Sequence, residues 1–123
     1  MERPELAAAA HRYIEAVSRH DMETLLAMFA PGAVQEDPVG QEPRLGIEAI
    51  RQFYELGFSS DIRGEITGPV CAVPGAVAFP LAVTFKAGES TLRLEAIDVF
   101  EFDEEGRIKH MRAYWGPENC RQV

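Results

Sequence analysis

The sequence has no excess of basic residues, few cysteines and no long hydrophobic run, and each absence excludes a class of protein. Lys and Arg total 12 against 20 Asp and Glu, which gives a formal net charge of −8. Such a surface repels phosphates, so we expect neither nucleic acid nor membrane as a partner. Cys71 and Cys120 have neither a CxxC nor a metal-ligand spacing, so we expect reduced thiols and no metal site.

The first residues carry charges from Glu2 onward and contain no apolar stretch of signal-peptide or membrane-spanning length. We therefore expect a cytoplasmic protein. A chain of 123 residues can bury a substantial core without disulfides, and no repeat, low-complexity run or linker divides it. These features predict one domain that spans residues 1–123.

Three amphipathic helices are predicted in the first half of the chain, because apolar residues recur there at helical spacing. The second helix is predicted to begin at an N-cap, Asp21, and to end at the breaker Pro31-Gly32. The three apolar stripes consist of Leu6, Ala10, Tyr13, Ile14 and Val17; Leu25, Leu26 and Phe29; and Ile47, Ile50, Phe53 and Tyr54.

The second half alternates in hydrophobicity, which predicts long antiparallel strands in "GAVAFPLAVTFKAG", "RLEAIDVFEF" and "RIKHMRAYW". Helices first and strands afterwards are typical of the α+β class. We predict a curved sheet covered on one face by the three helices. Three helices cannot fill such a curve, so an apolar pocket is expected between the layers.

One strand carries a carboxylic acid where a hydrophobic residue is expected. Leu94, Ala96, Asp98, Phe100 and Phe102 share one strand face, and Asp98 is its only polar member. A cation from another element or a wet strand end would account for it, but no Lys or Arg shares the face. Without a cation, an apolar site keeps a carboxyl protonated, and a neutral carboxylic acid can stabilise an oxyanion.

Two further residues suggest proton-transfer chemistry. Tyr13 lies on the inward stripe of the first helix, although a tyrosine there is more often part of the core. Asp37 ends a short strand, "AVQED", before the turn "DPVG", where it either caps the turn or acts as a base. Together with Asp98 they predict a site with one ionised base and two oxyanion donors.

The chain resembles the bacterial Δ5-3-ketosteroid isomerases of the NTF2-like fold over nearly its whole length. The resemblance rests on "RYIEAV", "EDPVGQEP", "IRQFYELG", "TGPV", "AFPLAV", "AIDVFEFDEEGRI" and "MRAYW". It implies a cone-shaped sheet, a 3-oxo-Δ5-steroid or similar apolar ketone as substrate, no cofactor, and a homodimer. A neutral aspartate beside a tyrosine is itself a well-known property of this family.

The resemblance also implies a role for each site residue. Asp37 would move the proton, Tyr13 and Asp98 would hold the dienolate oxygen, and Tyr54 would donate to Tyr13. The expected substrate-binding wall consists of Val17, Phe53, Phe79, Leu81, Val83, Phe100, Met111, Ala113 and Trp115. The chain departs from the family pattern at Phe29, where a relative has a tyrosine, and at Val39, where a relative has an aromatic residue.

Other functions remain open at the level of sequence. Related cones act as cyclases, dehydratases or epoxide hydrolases, and a carrier of hydrophobic molecules or a dimerisation module would share the fold. A dehydratase would use a histidine in the pocket, but His11, His20 and His110 are all expected at or near the surface. Ile97 and Val99, on the outer face of their strand, suggest a contact between two copies of the chain.

Overall fold

The computed structural model describes all residues, 1–123. Its helices are α1 (Arg3–Arg19), α2 (Met22–Ala27) and α3 (Ile47–Ser59). Its strands are β1 (Phe29–Glu36), β2 (Arg44–Leu45), β3 (Arg63–Ile66), β4 (Cys71–Val73), β5 (Ala76–Ala87), β6 (Ser90–Phe102), β7 (Ile108–Tyr114) and β8 (Cys120–Gln122). The predicted α+β class is confirmed.

The helices begin where the sequence predicts. Pro4 lies in the first turn of α1, and the Asp21 carboxylate caps α2 by accepting a hydrogen bond from the Thr24 N–H at 3.1 Å. The inward faces of α1 and α3 follow the predicted apolar stripes. No helix combines the length and the apolar character that crossing a bilayer would require.

The predicted end of α2 is wrong. The helix ends at Ala27, and Phe29 is the first residue of β1. The Ile108 N–H donates to the Met28 carbonyl at 2.8 Å, so pairing with β7 draws the chain into the sheet before the Pro31-Gly32 breaker. That breaker lies inside β1, where the register shifts between Phe29 and Val34.

The strands form one eight-stranded sheet in the order β2-β1-β7-β6-β5-β3. In addition, β4 pairs with β5 and β8 pairs with β6. The prediction of an antiparallel sheet holds for every pair except β1 and β7, which are parallel. α2 delivers Phe29 beside Ile108, the first residue of β7, so the two strands start together and run the same way. A 3₁₀ turn (Pro117–Asn119) and β8 follow β7, and the sequence did not predict them.

The register of the three long strands positions the inner face of the sheet. Phe79 of β5, Asp98 of β6 and Ala113 of β7 form one cross-strand row. Deeper in the core, Phe100 pairs with Met111, and both are fully buried. On the other side of the Asp98 row, the pairs Leu81–Ala96 and Val83–Leu94 of β5 and β6 face the helices. The carboxyl of Asp98 therefore lies between a closed core and an open cavity.

Candidate active site

A cavity of about 350 Å³ lies between the inner face of the sheet, α1 and α3. This volume is within the range of small-molecule sites, and 14 of the 19 lining residues are hydrophobic. The polar exceptions include Asp37 and Asp98, and Tyr13 and Tyr54 also line the cavity. The structure thus brings all four sequence-predicted polar residues to one cavity.

Asp98 is 2% exposed, and no Lys or Arg forms an ion pair with it. Neither alternative considered for it, a cation partner or a wet strand end, is found. Burial raises the pKa of the Asp98 carboxyl well above its usual value, and the nearby Asp37 carboxylate raises it further. Burial therefore favours the neutral form of the carboxyl, which can donate a hydrogen bond.

Tyr13 reaches the cavity from α1 with its ring edge-on to Phe100, at a centroid distance of 5.0 Å. Its hydroxyl is 2.8 Å from the hydroxyl of Tyr54, which α3 supplies from the opposite side. Burial raises the pKa of both phenols well above 10, so both remain protonated donors. Tyr54, Asp98 and Asp37, when ionised, would raise the pKa of Tyr13 further, as expected for groups that share one cavity.

Asp37 lies just beyond the end of β1 and is only partly buried. Trp115 Nε1 donates to its Oδ1 at 2.7 Å, while Oδ2 has no hydrogen-bond partner. Desolvation raises the pKa of Asp37, but the Trp115 hydrogen bond and the Arg44 charge oppose the rise. Asp37 is therefore the carboxyl of the pair that ionises more readily, and it is a stronger base than a free aspartate.

Two residues near Asp37 were missed by the sequence reasoning. Gln35 precedes it on the same face of β1 and is fully buried, with its Nε2 3.1 Å from the Tyr54 hydroxyl. Arg44 lines the cavity, 4.1 Å from the centre of the Phe53 ring, and donates to the Asp37 carbonyl. Strand alternation could have found Gln35, because it places this polar side chain between Ala33 and Asp37 on the inward face.

Only some residues of the expected substrate-binding wall line the cavity. Six of its residues line the cavity: Val17, Phe53, Leu81, Val83, Ala113 and Trp115. Phe79, Phe100 and Met111 do not, which corrects the expectation for them. The rings of Phe79 and Phe100 pack edge-on against each other and against Tyr13. The side chains of Phe79, Phe100 and Met111 are buried in the core beyond the cavity.

The histidines and the two family departures lie outside this cavity. His11 is exposed, His20 contacts the Ile62 carbonyl at 2.8 Å, and His110 pairs with Glu36 on the outer face of the sheet. Val39 is exposed, whereas the Phe29 ring packs within the core, 6.2 Å from the Tyr54 ring. A dehydratase that relies on a histidine in the cavity therefore lacks its base here.

Comparison with known proteins gives a consistent family. A family model described as the SnoaL-like domain matches residues 10–111. The chain is 40% identical over 113 residues to the steroid Delta-isomerase of Nocardioides simplex, covering 92% of this chain and 91% of the relative. It is 31% identical over 109 residues to the epoxide hydrolase LasB of Streptomyces lasalocidi, covering 85% of this chain but 39% of the relative.

A solved structure has a similar fold. SalBIII, described as an epoxide hydrolase/cyclase-like enzyme in pyran ring formation in the polyether salinomycin, superposes with a TM-score of 0.87. The sequence identity is 28%, and the match covers 98% of this chain and 95% of that chain. The NTF2-like fold expected from the sequence is confirmed.

The buried Asp98 predicts a particular dependence of stability on pH. Its folded pKa lies above the unfolded value of about 3.9, so the folded protein keeps a proton that the unfolded chain releases. Through this group, the free energy of unfolding falls as the pH rises from about 4 towards the folded pKa. Asp98→Asn does not titrate, so its stability relative to wild type should increase over the same interval.

Urea unfolding of both proteins at steps between about pH 3.5 and 8 measures this difference. The free energy of unfolding of Asp98→Asn minus that of wild type should be lowest at the acidic end, where the wild-type carboxyl is protonated in both states, and should rise with pH. A difference that is constant with pH would mean that Asp98 ionises normally in the folded protein.

Proposed function

The chain belongs to the SnoaL-like domain family, and we propose that it is a steroid Δ5-isomerase that acts on 3-oxosteroids. Its 40% identity to a steroid Delta-isomerase over most of both chains supports an isomerase. One observation carries the finer proposal: a single apolar cavity holds a partly exposed carboxylate opposite a buried, neutral carboxyl and a phenol.

Asp37 is the base in the proposed reaction. It takes the proton from the carbon between the carbonyl and the Δ5 double bond, and the C–H electrons move into a dienolate. The same carboxyl then returns the proton two carbons further along, which gives the conjugated Δ4-3-ketone. Trp115 holds Oδ1 by its 2.7 Å hydrogen bond, so Oδ2 is the oxygen that carries the proton.

Tyr13 and Asp98 hold the dienolate oxygen in the proposed reaction. Both groups are buried and both keep their protons, so each can donate to the negative charge as it develops. Tyr13 and Asp98 are 4% and 2% exposed, and burial strengthens such hydrogen bonds relative to those in solution. The Tyr54 hydroxyl lies 2.8 Å from that of Tyr13, and in the proposal Tyr54 donates to Tyr13 and makes it the better donor. Base, two donors and the substrate carbonyl suffice for an allylic shift, so the proposal includes no cofactor.

The substrate's carbon skeleton is held by apolar contact. A steroid offers few hydrogen bonds, so affinity comes from burial at about 25 cal/mol per Å². Leu81, Val83 and Ala113 supply this surface from the sheet, and Val17 and Phe53 supply it from the helices. The ketone end points to Tyr13 and Asp98.

A second candidate follows from the likeness to LasB and SalBIII. In an epoxide hydrolase or cyclase, Asp98 or Tyr13 would donate a proton to the epoxide oxygen. Asp37 would remove a proton from the attacking water or hydroxyl, whose oxygen forms the new C–O bond as the epoxide C–O bond breaks. Turnover of an epoxide without isomerisation of a 3-oxo-Δ5-steroid would favour this function, and binding without turnover would favour a carrier.

We also propose a homodimer that uses the outer face of β6 and β7. Ile97 and Tyr114 are cross-strand neighbours there, 51% and 47% exposed. Analytical ultracentrifugation should give a dimer for the wild type and a larger monomer fraction for Ile97→Lys. A monomeric wild type at assay concentrations would contradict the dimer and would leave the catalytic proposal unaffected.

The proposed base is tested by Asp37→Asn, which keeps the shape of the side chain and removes its basicity. Turnover of a 3-oxo-Δ5-steroid should fall by about 10²- to 10⁴-fold, while the steroid binds as well or better. The ultraviolet absorbance of the conjugated enone follows the reaction. Asp61→Asn is the matched control, because Asp61 is an exposed carboxylate outside the cavity. Loss of steroid binding in Asp37→Asn would give Asp37 a structural role.

The proposed neutral donor is tested by a pair of substitutions at Asp98. Asp98→Asn retains a neutral hydrogen-bond donor, whereas Asp98→Leu removes it. We expect Asp98→Leu to lose about 10²- to 10³-fold in kcat and Asp98→Asn to lose clearly less. Steady-state assays at neutral pH measure both, and equal losses would contradict a protonated donor at this position.

A further inference from the structure

Gln35 is buried beneath the tyrosine pair, and no step described so far requires it. It is fully buried on β1, and its Nε2 is 3.1 Å from the Tyr54 hydroxyl and 3.5 Å from Met111 Sδ. Its Oε1 is buried and has no hydrogen-bond partner. Burying an amide oxygen without a hydrogen bond destabilises the fold, and an apolar residue of the same size would avoid this penalty. Stability therefore does not account for the amide.

The amide determines where the hydroxyl hydrogens point. Tyr54 has one hydrogen to donate, and Gln35 Nε2 donates to its oxygen. Two acceptors remain for that hydrogen, the Tyr13 oxygen at 2.8 Å and Met111 Sδ at 3.5 Å. Oxygen is the stronger acceptor and also the nearer one, so Tyr54 donates to Tyr13. The hydrogen of Tyr13 is then free to point into the cavity.

The opposite orientation of the amide would reverse this order. With Oε1 facing Tyr54, Tyr54 would donate to Gln35 and Tyr13 would donate to Tyr54, away from the cavity. That arrangement would also place the amide oxygen against the Met111 sulfur, which has no hydrogen to donate. It would leave an amide group with two unpaired hydrogens instead of one unpaired oxygen. The contacts therefore favour the amide as a donor.

Neither of the phenylalanine rings that contact Tyr54 supplies this donor. The Phe29 ring, 6.2 Å from the Tyr54 ring, packs against it without a polar atom. Phe53 on the same helix contacts Tyr54 only edge-on, at 5.2 Å between ring centres. Burial raises the pKa of the Tyr54 hydroxyl well above its usual value, and its hydrogen bonds with Tyr13 and Gln35 oppose that rise.

We propose that Gln35 is a positioning residue whose amide donates to Tyr54, so that Tyr13 directs its own hydrogen to the oxygen of a bound ketone or enolate. The chain of donors runs from Gln35 through Tyr54 and Tyr13 to the ligand. This inference rests on the proposed function, because only a ligand with a developing oxyanion uses such a chain.

The test measures the oxyanion donors directly, without turnover. 4-Nitrophenol serves as the probe, because its bound anion is coloured and imitates the enolate oxygen. The measurements use Asp37→Asn protein, in which the base no longer repels the anion. Gln35→Leu should weaken binding of the phenolate about three- to tenfold, the size expected for one hydrogen bond that acts through a neighbour. Gln35→Met is a second variant of similar volume.

A double-mutant cycle with Tyr54→Phe separates positioning from a general loss of structure. In the Tyr54→Phe background, Gln35→Leu should have no further effect on phenolate affinity, because its route to Tyr13 is gone. Ile108→Val is the control for a core truncation: Ile108 is fully buried and outside the cavity, and its shortening should leave the phenolate affinity unchanged.

Unchanged phenolate affinity in both Gln35 variants, or additive effects with Tyr54→Phe, would overturn the inference. In the otherwise wild-type enzyme, Gln35→Leu should lower kcat for the steroid by the same factor and leave KM unchanged. If the wild type does not isomerise steroids and the phenolate cycle still shows coupling, the proposed reaction is wrong and the donor chain stands.

Discussion

The site depends on the removal of one carboxyl group, that of Asp98, from water. The β6 register places it in a row between Phe79 and Ala113, where no cation compensates a negative charge. Ionisation there would carry a large desolvation cost, and the nearby Asp37 increases that cost. The same burial that makes Asp98 unfavourable as an anion makes it effective as a neutral donor. In the proposed reaction, the two aspartates of one cavity thereby have opposite roles.

The rest of the fold preserves this difference between the two carboxyls. Phe79, Phe100 and Met111 fill the core beyond Asp98 and keep water out, and the rings of Tyr13 and Tyr54 close the same end from the helices. Asp37 lies at the end of β1, where the indole N–H of Trp115 and the charge of Arg44 favour its anion. Asp98, the proposed donor, is thus buried against the core, whereas Asp37, the proposed base, lies at a more exposed strand end.

The sequence alone predicted the parts of the site that depend on local periodicity. Strand alternation identified Asp98, helical spacing identified Tyr13 and the inward face of α3, and the turn after β1 drew attention to Asp37. How deeply each residue of an inward face is buried could not be predicted from periodicity. Alternation assigns Phe100 and Leu94 to the same face, but only the assembled layers decide that one is core and the other lines the cavity.

The errors arise where partners distant in the sequence decide the structure. Phe29 leaves the predicted helix because β7, which begins 79 residues later at Ile108, pairs with it. The parallel pairing of β1 with β7 has the same origin, since no local pattern specifies which strand lies alongside. Gln35 was overlooked because a glutamine in a short strand is unremarkable until the Tyr54 hydroxyl is found beside it.

The protonation state of Asp98 can be observed directly by carbon-13 NMR of protein labelled at the aspartate side-chain carboxyl. The Asp98 resonance is assigned by its absence from the spectrum of Asp98→Asn. We expect this resonance to keep the chemical shift of a protonated carboxyl at neutral pH. An Asp98 resonance that titrates at about pH 4, as a free aspartate does, would contradict a neutral Asp98 in the folded protein.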